Sequence, residues 1–525
     1  MYFISSIYIL FLSATLILYY SLPKDKRWIC LLAASCFFYV WDGGYKTFGY
    51  MVFSSLLTFF AGILLEKLNA KKKGVPKEDK ITSARITKQK KLTVAAVCVV
   101  LFGMLFTLKY LSFTVAIIDS FISKLGYELH APSLLMPLGV SFYIFQSVGY
   151  VIDCYRGKHS VEHNYAKYAL FVSFFPQIIQ GPISRYNQLS ETLYAGNDFN
   201  TDNMRDGIQR MMWGYFKKMV IADRAAVVVT AFFSSYDSYG GTVTAFSVLM
   251  YFINLYCDFS GGIDITIGSA LLFGIKMEEN FRRPIFATSL SDYWRRWHIT
   301  LGSWMRDYVF YPISLSKPFS KIGKWAREKL GGKIGKIFTT TLATFIVYIF
   351  IGIWHGANFR YIAYGFYNGA IITSSLLLAG VYSDLKKKLH IDTDSVPWRV
   401  FSMLRTSFIV FIGRYITRSP RLIVAFQLIL RTFTPSKFDF ASISDGVLMK
   451  MGLSAQDYII IGISLTVMLL VEFYEEKSEH SLVSSLNKKH GVLQWAAMTA
   501  MILVVVFAGI MRGSYISSEF IYKQY

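Results

Sequence analysis

The chain has 525 residues, of which 54% are apolar and only 17% charged, with 44 Phe, 35 Tyr and 10 Trp and a mean hydropathy of +0.40. A water-soluble fold of that composition would expose more apolar surface than soluble proteins carry, so an ordinary cytosolic enzyme is excluded, and 12 Pro with few charges exclude a disordered or collagen-like chain. The formal charge of +22 falls in short clusters between apolar stretches, which fits segments facing an anionic cytoplasmic leaflet and not a nucleic-acid-binding domain.

A helix that crosses the hydrocarbon needs about 20 apolar residues, and the sequence offers about a dozen candidates joined by short polar segments. Their backbone is satisfied in lipid only as helices, so an all-α, polytopic chain is expected. Met1 to Leu22 is apolar from the start, lacks a basic leader and runs into Pro23 and Lys24, which reads as a retained span and not a cleaved signal. Trp28 to Leu65 is long enough for two spans, with Asp42-Gly43-Gly44 as the turn. Residues 66–91 then carry ten Lys or Arg against three acids, and 316–336 carry seven against one. Both are expected as basic cytoplasmic loops, as is the segment at Lys386, Lys387 and Lys388, and the same parity puts the N-terminus outside. Between them, Phe174 to Pro182 and Asp258 to Asp264 interrupt apolar stretches with Pro and Gly. Breaks at membrane depth are tolerated only where sheltered, so both are expected to wall a cavity. No long Ser/Gly/Pro linker divides the chain, and residues 1–525 read as a single integral membrane domain.

The five cysteines have no metal-ligand or disulfide spacing, and no metal site is expected. Phosphate-binding glycine loops, nucleophile elbows and zinc-protease motifs are absent from the sequence. Of eight histidines, His130, His159, His163, His390, His480 and His490 lie in or beside polar joints and read as solvated. His355, in Gly352-Ile353-Trp354-His355-Gly356-Ala357-Asn358, instead closes an apolar run from Ile337, where an imidazole needs a partner or a wet space. Gly352 and Gly356 either leave room for substrate beside the ring or allow close helix packing. His298 stands among Trp294, Trp297 and Trp304 with Arg295, Arg296, Arg306 and Asp307. Such a cluster suits either an interfacial anchor or the phosphates of a phosphopantetheine or coenzyme A donor. Asp258 and Asp264 are expected to serve structure, capping half-helices, more readily than to bind a cation.

Three blocks resemble the membrane-bound O-acyltransferase family, and within it the bacterial branch containing the alginate O-acetyltransferase membrane subunit: Phe174–Leu189, Tyr256–Asp307 and Gly352–Asn358. The resemblance is strongest over 136–369. It implies a ring of transmembrane and re-entrant helices around a cavity open to both faces, with His355 as the catalytic residue and His298 at the second signature position. It further implies substrate contacts from Arg295, Arg296, Trp297, Arg306, Asp307, Trp354 and Asn358, no bound cofactor, and an acyl thioester donor, acetyl-CoA or an acyl carrier protein. Relatives act beside an extracytoplasmic serine-hydrolase-like acyltransferase, so O-acylation, most simply O-acetylation, of an extracytoplasmic polysaccharide at a bacterial inner or plasma membrane is expected, with membrane lipids around the chain. A D-alanyl transferase for teichoic acid is the alternative within the family. A lipid or glycan transporter is the alternative outside it.

Overall fold

The computed structural model describes residues 3–132, 134–435, 446–489 and 491–509. Among these residues there is no strand, only one isolated antiparallel bridge between Phe281 and Trp297. The helices, in chain order, are α1 (Ser6–Ser21), α2 (Arg27–Gly43), α3 (Tyr45–Lys73), α4 (Lys80–Ile122), α5 (Val140–Arg156), α6 (Tyr165–Ser173), α7 (Tyr186–Leu193), α8 (Thr201–Tyr215), α9 (Asp223–Ser234) and α10 (Gly241–Leu272). They continue as α11 (Leu290–Arg296), α12 (Ile299–Met305), α13 (Tyr311–Ser314), α14 (Lys317–Lys329), α15 (Gly332–His355), α16 (Phe359–Leu377), α17 (Ala379–Lys388), α18 (Val396–Arg418) and α19 (Leu422–Phe433). The last three are α20 (Ala455–Ser478), α21 (Leu482–Leu486) and α22 (Gly491–Ala508). The described residues form two compact units: those of 3–211 with Gly262–Glu278, and Met212–Gly261 with those of 279–509.

Seven of the described helices are long and apolar enough to cross a membrane: α3, α4, α10, α15, α18, α20 and α22. An eighth span forms if α16 and α17, bent by 61° at their junction, count as one. The number falls below the dozen expected because α1, α2 and α5 reach only 16 or 17 residues, and the chain from Gly157 to Gly240 is cut into short helices. The turn between α2 and α3 sits where expected, with Gly44 at φ 81° in a conformation costly for any residue bearing a Cβ.

The two basic segments are helical instead of looped. Residues 66–91 complete α3 and open α4, with a turn confined to 74–79, where Asp79 accepts the Thr82 N–H at 2.9 Å and caps α4. Residues 316–336 are mostly α14 and the start of α15. Lys, Ala, Leu and Gln are good helix formers, so charge density by itself does not end a helix.

The two expected breaks behave differently. At Pro176 and Pro182 the helix does stop: α6 ends at Ser173, and the buried chain from Phe174 to Ser184 is irregular. Gln180 is fully buried there and neither of its amide atoms meets a protein partner among the described residues. The stretch Asp258 to Asp264, by contrast, lies within the continuous helix α10. Its Gly261 permits close approach, since a Cβ there would stand 2.8 Å from the Gly214 carbonyl oxygen. The two aspartates form ion pairs and not caps: Asp264 with Arg210 at 2.6 Å, and Asp258 with Lys218 at 2.6 Å. Lys218 is wholly buried on a π-helical stretch, Phe216–Ala222, and also meets Asp223 at 2.8 Å.

Candidate active site

The second unit holds both signature histidines. His298 sits at the joint between α11 and α12 with φ 48° and ψ 54°, a left-handed conformation that costs a non-glycine residue about 1–2 kcal/mol. Neighbouring bonds hold it there. The Arg282 N–H donates to the Arg296 carbonyl at 2.9 Å and the Ile299 N–H to the Asn280 carbonyl at 3.0 Å, so residues 280–282 pair with 296–299 across the joint. Arg283, also left-handed at φ 45°, donates to Glu476 of α20 at 2.9 Å, and Arg296 donates to both oxygens of the same carboxylate at 3.0 and 2.9 Å.

The buried Asn280 side chain fixes the protonation pattern of His298. The Thr300 backbone N–H, which can only donate, points at one terminal atom of Asn280 at 3.1 Å, so that atom is the carbonyl oxygen. The Thr300 hydroxyl meets it at 2.9 Å and His298 Nδ1 at 3.1 Å. An oxygen with no hydrogen requires Nδ1 to be the donor, which leaves Nε2 of the neutral ring as an acceptor. Burial, and after it the charge that His355 would carry, hold the His298 pKa well below its ordinary 6.5, so the ring is neutral at physiological pH.

His355 is the last residue of α15 and is only half-buried. Trp354 is a neighbour of both histidines: its ring centroid is 4.9 Å from that of His355 and 6.1 Å from that of His298. Phe259 meets the His298 ring edge-on at 4.9 Å, and Tyr361 stands 6.3 Å from the His355 ring. The glycines flanking His355 are packing residues. A Cβ on Gly356 would come within 2.7 Å of the Tyr361 ring, and one on Gly352 would strike the Tyr361 carbonyl, so both places are already filled by α16.

The remaining sequence-expected residues separate by role. Trp297 is buried against Tyr293 and lies 5.4 Å from the Arg414 guanidinium. Arg295 is largely exposed and reaches Asp292 at 3.4 Å, whereas Arg296 is held by Asp292 and Glu476. Arg306 pairs with its neighbour Asp307 at 3.1 Å. Asn358 caps α16, accepting the Arg360 N–H at 3.1 Å. Among the other histidines, His130, His163, His390 and His480 are exposed, while His159 stacks on Tyr150 and is half-buried; His490 lies outside the described residues.

Sequence reading gives no role to Asn280, Glu476 or Arg414. Arg414 is buried and donates to the Tyr293 hydroxyl at 2.8 Å, tying α18 to α11. Its only signal was an arginine inside an apolar span. No group of three or more His, Cys, Asp or Glu among the described residues is arranged to hold a metal.

A family model, the membrane-bound O-acyltransferase family, matches residues 37–327. The chain belongs to this family. It is therefore a multi-pass membrane acyltransferase. Over 533 residues it is 30% identical to a probable alginate O-acetylase AlgI of Pseudomonas putida, covering the whole of both chains. A peptidoglycan O-acetyltransferase of Helicobacter pylori is 29% identical over 53% of this chain and 54% of its own, and a teichoic acid D-alanyltransferase of Bacillus subtilis is 26% identical over 49% and 65%.

Proposed function

We propose that this acyltransferase passes an acyl group, most simply acetyl, from a cytoplasmic thioester donor to a hydroxyl destined for an extracytoplasmic polysaccharide, in a bacterial plasma membrane, with His355 as the general base. The observation that carries the reading is the pair of imidazoles that share Trp354 as a neighbour, one half-buried at a helix end and the other buried with its Nδ1–H directed at Asn280. The sequence likeness to an alginate O-acetylase along the full chain, and to a peptidoglycan O-acetyltransferase along half of it, supports acetyl and a polysaccharide acceptor.

In this reading His355 takes the proton of the acceptor hydroxyl as its oxygen attacks the thioester carbonyl. The C–S bond breaks, the new ester C–O bond forms, and the imidazolium returns the proton to the departing thiolate. Neutral His298 presents a lone pair at Nε2, so it accepts a hydrogen bond and cannot serve as an oxyanion donor. Arg295, with its exposed guanidinium, is the member of the arginine cluster best placed to meet donor phosphates, whether the donor is acetyl-CoA or an acyl carrier protein. An extracytoplasmic serine-hydrolase-like partner completes transfer to the sugar. The teichoic acid relatives make D-alanine the competing acyl group. Reconstituting the chain with a labelled thioester and identifying the transferred group by mass spectrometry tests the proposal. Acetyl on the acceptor is expected; alanyl would replace that part of it, and substrate crossing a liposome without thioester consumption would overturn it.

A further inference from the structure

A second basic site lies in the same unit, between the segment that precedes α11 and the α17–α18 connection. It is a cavity of about 520 Å³ bordered by Arg296, Lys386, Trp398, Arg399 and Arg405, with Asp394 as the one acid on its wall. Two of the cations are already engaged: Arg296 by Asp292 and Glu476, and Arg399 by Glu476 at 3.7 Å. Lys386 and Arg405 have no carboxylate within ion-pair distance among the described residues. Lys386 rests over the Trp398 ring at 5.4 Å, and Arg405 donates to the Thr288 carbonyl at 2.9 Å. The first turn of α18, whose preceding Ser395 donates its hydroxyl to the Asp392 carbonyl and leaves the helix end without a side-chain cap, borders the same cavity, and the positive end of the helix dipole favours an anion there.

The apolar surroundings identify the source of that anion. Helix α18 is apolar enough to cross the membrane, and Val400, Phe401, Leu404 and Phe408 are all exposed along it, Leu404 by 66%. Arg405 stands nine residues past the start of this span, about 13 Å along the helix axis. A guanidinium at that depth beside hydrocarbon is costly unless it reaches back to a headgroup phosphate. Trp398, in the first turn of the span, sits at the level where interfacial aromatics gather. A soluble phosphate would satisfy the cations but would leave the apolar strip to other contacts. A phospholipid satisfies both, its phosphate on Lys386 and Arg405 and its acyl chains along the exposed strip.

We propose that this pocket binds the headgroup phosphate of an anionic glycerophospholipid, at a site separate from His298 and His355. The test is native mass spectrometry of the full-length protein released from micelles containing equal amounts of phosphatidylglycerol and phosphatidylcholine. Wild type should retain phosphatidylglycerol, and Lys386→Ala/Arg405→Ala should lose about 30-fold in its affinity, the scale of two phosphate contacts of about 1 kcal/mol each. Lys386→Arg/Arg405→Lys, which keeps both charges, should retain the lipid and so separates loss of the site from misfolding. Equal retention of the two lipids by wild type, or undiminished phosphatidylglycerol on the alanine variant while both variants share the wild-type melting temperature, would overturn the proposal. Displacement of phosphatidylglycerol by millimolar ADP from wild type alone would assign the pocket to a soluble phosphate and overturn the lipid reading as well.

Discussion

The two histidines are held by opposite means. His298 is wholly buried in a left-handed joint whose backbone and side chains are tied to Asn280, Thr300 and, through Arg283 and Arg296, to Glu476. His355 ends a helix, stands half in the open, and has its neighbouring glycines occupied by Tyr361. A group that must exchange protons with an arriving substrate needs access, whereas a group that fixes geometry needs bonds. The contrast supports the proposed division of labour, with proton transfer at His355 and positioning at His298.

The strongest way to break that assignment is to exchange the effects of the two side chains. His355→Ala should lower transfer by about 100-fold to 10,000-fold, the range of positioned general-base catalysis, while the melting temperature stays near wild type. His298→Ala should cost less in rate, about 100-fold at most, because a positioning residue is lost and not the base. Acyl-transfer rates of both purified variants would decide it: a larger loss at His298 than at His355 reverses the roles. Asn280→Ala sharpens the same contrast. It strips the acceptor from the Thr300 N–H and from His298 Nδ1–H, which should destabilise the fold by about 1–3 kcal/mol, read as a lower midpoint of thermal unfolding in detergent. On the other side, Gly352→Ala drives a methyl into the Tyr361 carbonyl, an overpacking cost of about 1–3 kcal/mol. If that variant is as stable as wild type, the glycine serves the cavity and not the α15–α16 contact.

Much of this was legible before any coordinates, and the failures have one cause. The turn at Gly44 and the break at Pro176 and Pro182 follow from local chemistry, a positive φ and missing N–H donors, which the sequence displays directly. Gly261 and Gly262 signal a break equally well, yet α10 runs through them, because a glycine that relaxes the backbone and a glycine that admits a neighbouring backbone are identical in sequence. His298 and His355 were recognisable from their motifs. Their supports were not, since Asn280 reaches His298 from 18 residues away, Tyr293 meets Arg414 across 121, and Glu476 meets Arg296 across 180. Partners so distant are set by packing, which no local pattern encodes.

The smallest expected effect concerns pH, and its sign follows from the burial of His298. Its folded pKa is depressed below the 6.5 of an unfolded imidazole, so between those two values the unfolded chain binds a proton that the folded chain refuses. Stability from this group is fully present above pH 6.5 and falls as the solution is acidified below it, at no more than about 1.4 kcal/mol per pH unit for one proton. The direction is opposite to that of a histidine ion-paired to a carboxylate, whose stabilisation grows on acidification. His298→Asn removes the titration while keeping a polar side chain. Its unfolding free energy, compared with wild type from pH 7.5 to 5, should therefore show a flatter decline below pH 6.5, whatever the offset at neutral pH. Parallel curves would mean that His298 binds its proton as readily in the folded chain as in the unfolded one, so that burial does not hold the ring neutral and, once protonated below pH 6.5, it would carry an Nε2–H able to donate to an oxyanion.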